Sequence, residues 1–148
     1  MHQQLLLLNG PNINLMGKRE KEVYGSFTLT DIENEVQRVT NQYGFSLACM
    51  QSNSEGTLID CIQEADKKYD GVILNPAGYT HTSVALRDAI LAINTPVIEV
   101  HISNIYKRES FRHTSITAAA CIGQITGLGL YGYNLAAQAI VNYVKEMN

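Results

Sequence analysis

The segment DGVILNPAGYTHTSVALRDAILAI, residues 70–93, changes character twice within a few turns of chain. Asp70-Gly71 is a turn signal, and Val72-Ile73-Leu74 is a short apolar, β-prone run. Residues 83–93 then carry the pattern of a helix. Between strand and helix stand Asn75, Thr80, His81, Thr82 and Ser83, all of them hydrogen-bonding groups. A strand that empties through a polar turn into a helix is the repeating unit of an alternating α/β chain.

The same rhythm runs outward in both directions. Residues 5–8 are four leucines, a strand with no polar face, and a long segment punctuated by Gly10, Pro11, Gly17 and Gly25 follows to residue 29. Thr30 with Glu33 reads as a capping box, and Ile32, Val36, Val39 and Tyr43 recur at helical spacing before Gly44. Residues 45–51 alternate as a strand, and residues 55–69 place Leu58, Ile59, Ile62 and Ala65 on one helical face. Downstream, residues 97–100 and 121–126 read as strands, and residues 133–146 as a final helix. Strands alternating with helices demand right-handed crossovers and a parallel sheet covered on both faces. The expected fold is therefore α/β, a flavodoxin-like three-layer sandwich with a five-stranded parallel sheet, in a single domain spanning residues 1–148.

Composition narrows the function. The net charge is -3 and the 11 Lys and Arg form no long run, so no nucleic-acid partner is expected. The opening MHQQLLLLNGPN has an apolar run of only four residues and no cationic lead, which predicts neither a leader nor a membrane span. Cys49, Cys61 and Cys121 are odd in number and widely spaced among apolar residues, as expected of reduced thiols in the cytoplasm.

Open α/β sheets bind ligands outside the carboxyl ends of their strands. Those ends deliver Asn9-Gly10-Pro11-Asn12, Gln51-Ser52-Asn53, Asn75 with Thr80 to Ser83, and His101-Ile102-Ser103-Asn104. Any one of these is an ordinary turn or cap; four together point to a binding rim. Lys107, Arg108, Arg112 and His113 in KRESFRHTS, with Arg19 in the long first loop, imply an anionic substrate. Arg112 taken alone reads equally as half of a surface ion pair.

Gly127, Gly129 and Gly132 spell GxGxxG, but the acidic strand residue that a dinucleotide site needs does not follow, so a tight turn and close packing are expected instead. His81, His101 and His113 match no zinc-ligand spacing, and no metal is expected. No lysine follows a strand in a setting suited to Schiff-base chemistry, and no GxSxG elbow or strand-end cysteine offers a nucleophile. Proton transfer remains. His101 reads either as a core histidine satisfied by a backbone group or as a general acid, with Glu99 on the same strand face able to fix its orientation and tautomer.

NGPNINLMGKREKEVYG (residues 9–25), QSNSEG (51–56), NPAGYTHTS (75–83), EVHISN (99–104) and FRHTS (111–115) occur in this order, and together they resemble the type II 3-dehydroquinases. The resemblance runs from about residue 5 to about residue 139. It implies dehydration of 3-dehydroquinate to 3-dehydroshikimate by β-elimination through an enolate, without cofactor or metal, in the shikimate pathway or in quinate breakdown. By the same likeness, Tyr24 is the base, Arg19 stabilises its phenolate and the developing charge, Asn12 serves the enolate oxygen, and His101 protonates the departing hydroxyl. Asn75, His81, Arg112 and the amides of Ile102 and Ser103 are implied to hold substrate. Asp88 is implied to reach the site of a neighbouring subunit in a dodecamer built from trimers.

Overall fold

The computed structural model describes residues 3–18 and 20–147. Five strands form one all-parallel sheet: β1 (Gln4–Asn9), β2 (Ser46–Gln51), β3 (Gly71–Asn75), β4 (Val97–His101) and β5 (Gly123–Thr126), in the order β2-β1-β3-β4-β5. This is the flavodoxin-like order, in which the winding direction reverses between β1 and β3. Asn9 pairs with Asn75 at that reversal.

The leucines of β1 have no polar partner because both faces of the strand are covered. Leu5 and Leu7 pack in one core with α2 (Leu29–Gln42) and α5 (Gly129–Met147). Leu6 and Leu8 pack in a second core with α3 (Glu55–Lys68) and α4 (Val84–Ala92). Each fully buried leucine side chain stabilises the fold by about 1.5–3 kcal/mol, which makes the central strand the most strongly determined element.

Two expectations shift, the first cap and the start of the last helix. The capping box is Thr28 with Asp31, not Thr30 with Glu33: Asp31 N donates to Thr28 Oγ1 at 3.2 Å, and Thr28 N to the Asp31 carboxylate at 2.9 Å. Thr28 has the extended backbone that an N-cap needs, which places Thr30 inside the first turn. The long segment after β1 folds a 3-10 turn at Ile13–Leu15 and a short helix, α1 (Lys21–Tyr24). The last helix begins at Gly129 rather than Tyr133. There Gly132 lies against Ile125 and Val100 side chains, so packing on the sheet outweighs the poor helix propensity of glycine.

The glycines of GxGxxG are structural, as expected. Gly127 has φ +89, and a Cβ on it would come within 2.9 Å of the Asn104 Cβ.

Candidate functional site

A cavity of about 130 Å³ opens at the carboxyl ends of β1, β3 and β4, where the winding reverses. Pro11, Asn12 and Ile13 line it from the turn after β1, and Asn75, Ala77, Gly78 and His81 from the turn after β3. His101, Ile102, Ser103, Ile105, Arg108 and Arg112 line it from beyond β4, and Tyr24 closes it from α1.

The two central turns are locked together by backbone. Gly10 N donates to Asn75 O at 2.8 Å, and a Cβ on Gly10 would meet the Pro76 carbonyl oxygen at 2.8 Å, so no larger residue fits. Asn12 sits in the left-handed region at φ 71, which asparagine tolerates, and its N–H donates to Asn53 Oδ1 at 3.0 Å. Gln51 Nε2 supports the same turn by donating to Gly10 O at 3.1 Å. Thus β2, although it contributes no lining residue, holds Asn12 in place.

Asn75 is fixed from behind. Its Nδ2 donates to Tyr133 Oη at 2.8 Å, and the Tyr133 hydroxyl donates to Asn9 Oδ1 at 2.6 Å. Asn75 Oδ1 accepts from Ala77 N at 3.0 Å, which steadies a backbone held at φ 53. Burial pushes the Tyr133 phenol up, opposed by the Asn75 hydrogen bond, so the hydroxyl stays protonated and able to donate.

Glu99 and His101 form a buried pair, with His101 Nε2 donating to Glu99 Oε2 at 2.8 Å. The side chain of Glu99 has no exposure, and three further groups donate to it: Ser115 Oγ at 2.8 Å, Gln124 Nε2 at 2.7 Å and the Thr117 hydroxyl. Burial alone would raise the pKa of Glu99, but the hydrogen bond and charge of His101, then the bonds from Thr117 and Gln124, outweigh it and hold the carboxyl below its ordinary value. An ionised carboxylate only accepts, so Nε2 carries hydrogen and Nδ1 is the ring atom left to exchange a proton. The backbone-satisfied alternative for His101 is thereby set aside in favour of a carboxylate-oriented imidazole.

His81 Nδ1 donates to Thr114 O at 2.9 Å. Burial lowers its pKa, with His101 and Arg112 adding to the effect against the Thr114 bond and Glu99, so the ring favours its neutral form. Arg112 pairs through its Nε with Glu109 at 3.2 Å, as the ion-pair reading expects, and it also lines the cavity. His113 does not join the other histidines at the cavity, and its Nε2 meets the Arg108 carbonyl at 3.0 Å.

Sequence reading placed Arg108 among the rim cations but did not foresee its position beside Tyr24. Its guanidinium lies 5.2 Å from the centre of the Tyr24 ring and 4.0 Å from Glu20. Arg19, the expected partner of Tyr24, lies outside the described residues. Asp88 is exposed on α4 and does not line this chain's own cavity.

The family profile described as dehydroquinase class II matches residues 3–141. The chain is 55% identical to the 3-dehydroquinate dehydratase of Bacillus cytotoxicus over 144 residues, covering 97% of this chain and 99% of the relative. Among solved structures, it resembles the type II dehydroquinase of Butyrivibrio crossotus with a TM-score of 0.90 and 44% identity, over 94% of this chain and 97% of the other. The type II dehydroquinase of Propionibacterium acnes gives a TM-score of 0.89 and 38% identity over 96% of this chain and 98% of the other. The chain therefore belongs to the type II dehydroquinase family, lyases that dehydrate 3-dehydroquinate in the shikimate pathway to the aromatic amino acids.

Proposed function

We propose that this single domain performs the dehydration with Tyr24 as base and His101 as acid, using no metal or cofactor. One observation carries the reading: a carboxylate-oriented imidazole and a phenol under a guanidinium line the same small cavity. The Tyr24 phenolate removes the proton alpha to the ketone, and the C–H electron pair moves into the enolate. As the enolate collapses, the β-hydroxyl leaves and takes the His101 proton to depart as water. Each proton transfer to or from a positioned side chain is worth about 10²–10⁴-fold in rate.

The remaining lining residues stabilise charge and fix the ring. A cation beside the reacting centre stabilises the negative charge that develops there; Arg108 supplies one beside Tyr24, and Arg19 keeps its charge-stabilising role by family likeness. Asn12 faces the enolate oxygen, directly or through water, where an amide N–H strengthens its bond as charge builds. Asn75, His81, Arg112 and the backbone amides of Ile102 and Ser103 hold the hydroxyls and carboxylate of the substrate. The short helix bearing Tyr24, α1, closes over bound ligand.

We extend the proposal to assembly and location. Val84 and Leu91, 61% and 58% exposed, flank Asp88 at i, i+4 and i+7 on the outer face of α4. An apolar face with a carboxylate at its centre supports burial against another copy, in trimers that build a dodecamer, with Asp88 completing a neighbour's site. The free cysteines support a cytoplasmic location.

The test follows the ultraviolet absorbance of the conjugated enone when 3-dehydroquinate meets the purified protein in chelator, alongside Tyr24→Phe. Rapid growth with the parent and near silence with the variant is expected. A parent silenced by chelator would end the metal-free reading, and an active Tyr24→Phe would remove the base. Sedimentation of a small, fully active species would overturn the dodecamer.

A further inference from the structure

Glu99 is held by more than its histidine. A carboxylate offers about four lone-pair sites on two oxygens, and four donors reach them: His101 Nε2, Ser115 Oγ and Gln124 Nε2 converge on Oε2, and Thr117 Oγ1 alone donates to Oε1. Three come from outside β4. Gln124 stands directly across from Glu99 in the β4–β5 register. Ser115 and Thr117 lie on a segment anchored by Arg87, whose guanidinium donates to Ile116 O at 2.9 Å, and by Ile116 N, which donates to Thr80 O at 2.9 Å.

We propose that Thr117 and Gln124 are positioning residues for the proton donor, acting through Glu99 so that the proton shared by the pair stays on His101. This rests on the reading of His101 as the acid. The physical reason lies in the kind of donor. A lysine or arginine in their place would neutralise the carboxylate and weaken its hold on the imidazolium, whereas hydroxyl and amide donors satisfy the lone pairs and leave the negative charge for His101. With fewer donors, a buried carboxylate gains proton affinity, and the proton passes from His101 to Glu99. The ring is then neutral and a poor acid. The other titratable groups sensing Glu99 are His81, on the turn after β3, and Cys121, just before β5. Burial favours the neutral form of both, so the charge balance rests on Glu99 and His101.

The experiment measures kcat and KM for 3-dehydroquinate against pH in Thr117→Val, Thr117→Ser and Gln124→Met, with His101→Gln as reference. Val and Met remove a donor at similar volume, while Ser restores the hydroxyl. The expected result is a kcat lower by about tenfold or more in Thr117→Val and Gln124→Met, with KM within about twofold of the parent. Their acid limb of kcat should move to higher pH, because Glu99 then protonates sooner, and Thr117→Ser should follow the parent. Parental kcat and pH profiles in Val and Met would overturn the proposal, as would losses confined to KM and thermal stability. Should Thr117→Val fail to fold, Gln124→Met decides alone. An active His101→Gln would instead remove the acid assignment beneath it, whereas an inactive one beside parental Val and Met variants would leave that assignment standing and sink only this proposal.

Discussion

The Arg108 guanidinium lies 5.2 Å from the centre of the Tyr24 ring and 3.4 Å from Ser103 Oγ, so one side chain joins the two lips of the cavity. Only about 15% of it is exposed, which makes its charge more effective than that of a surface cation. Arg108→Ala is expected to lower kcat by about 10²-fold with little change in the melting profile, the magnitude typical of losing one charge-stabilising group. Arg108→Lys should recover part of the loss. Steady-state kinetics beside circular dichroism checks both, and parental kinetics in Arg108→Ala would remove the residue from the mechanism.

Tyr133→Phe removes the hydroxyl that joins Asn75 to Asn9. Two buried amides are left short of a partner, so stability should fall by about 1–3 kcal/mol in urea titration. Because Asn75 lines the cavity, KM should rise more than kcat falls. An unchanged KM would mean that Asn75 keeps its place without the phenol.

Glu99 also governs acid stability. Its folded-state pKa lies below the ordinary 4.5, so the folded protein binds this proton less readily than the unfolded chain. The resulting stabilisation is complete above about pH 4.5 and is lost as pH falls through the lower folded value. Glu99→Gln should therefore be less stable than the parent at neutral pH, and the gap should narrow below pH 4.5. Denaturant melts at several pH values read this directly, and a gap that widens in acid would contradict the sign.

Gly10→Ala would drive a methyl group into the Pro76 carbonyl, a backbone atom pinned by the β1–β3 contact. The overpacking should cost about 1–3 kcal/mol. Substrate binding should weaken as well, because Asn12 and Asn75 flank the contact. Parental stability and KM together would show that the two turns have more freedom than their spacing allows.

Much of this was legible in the letters. Period and punctuation located every strand, and the strand-end rule put Asn12, Asn75, His81 and His101 at one rim. Glu99 followed from strand alternation alone. The place of Arg108 beside Tyr24 did not, because residues 105–112 fold into two 3-10 turns, Ile105–Lys107 and Ser110–Arg112, and nothing in KRESFRHTS says which cation they turn inward. The donors around Glu99 were hidden for another reason, since Gln124 is recognised only once the β4–β5 register is known. The cap was misassigned because two threonines two residues apart both satisfy the pattern, and backbone geometry chooses between them.

Tyr133, far along the chain in α5, bolts together two asparagines that end β1 and β3. During synthesis the chain emerges from its N-terminus, so β1, destined for the interior of the sheet, leaves the ribosome before either neighbouring strand exists. The wall behind Asn75 is finished only when the last helix docks. A nascent chain halted before α5 would hold most of the cavity's side chains but not the brace that aligns them, so competence arrives late, with the closing stretch of translation.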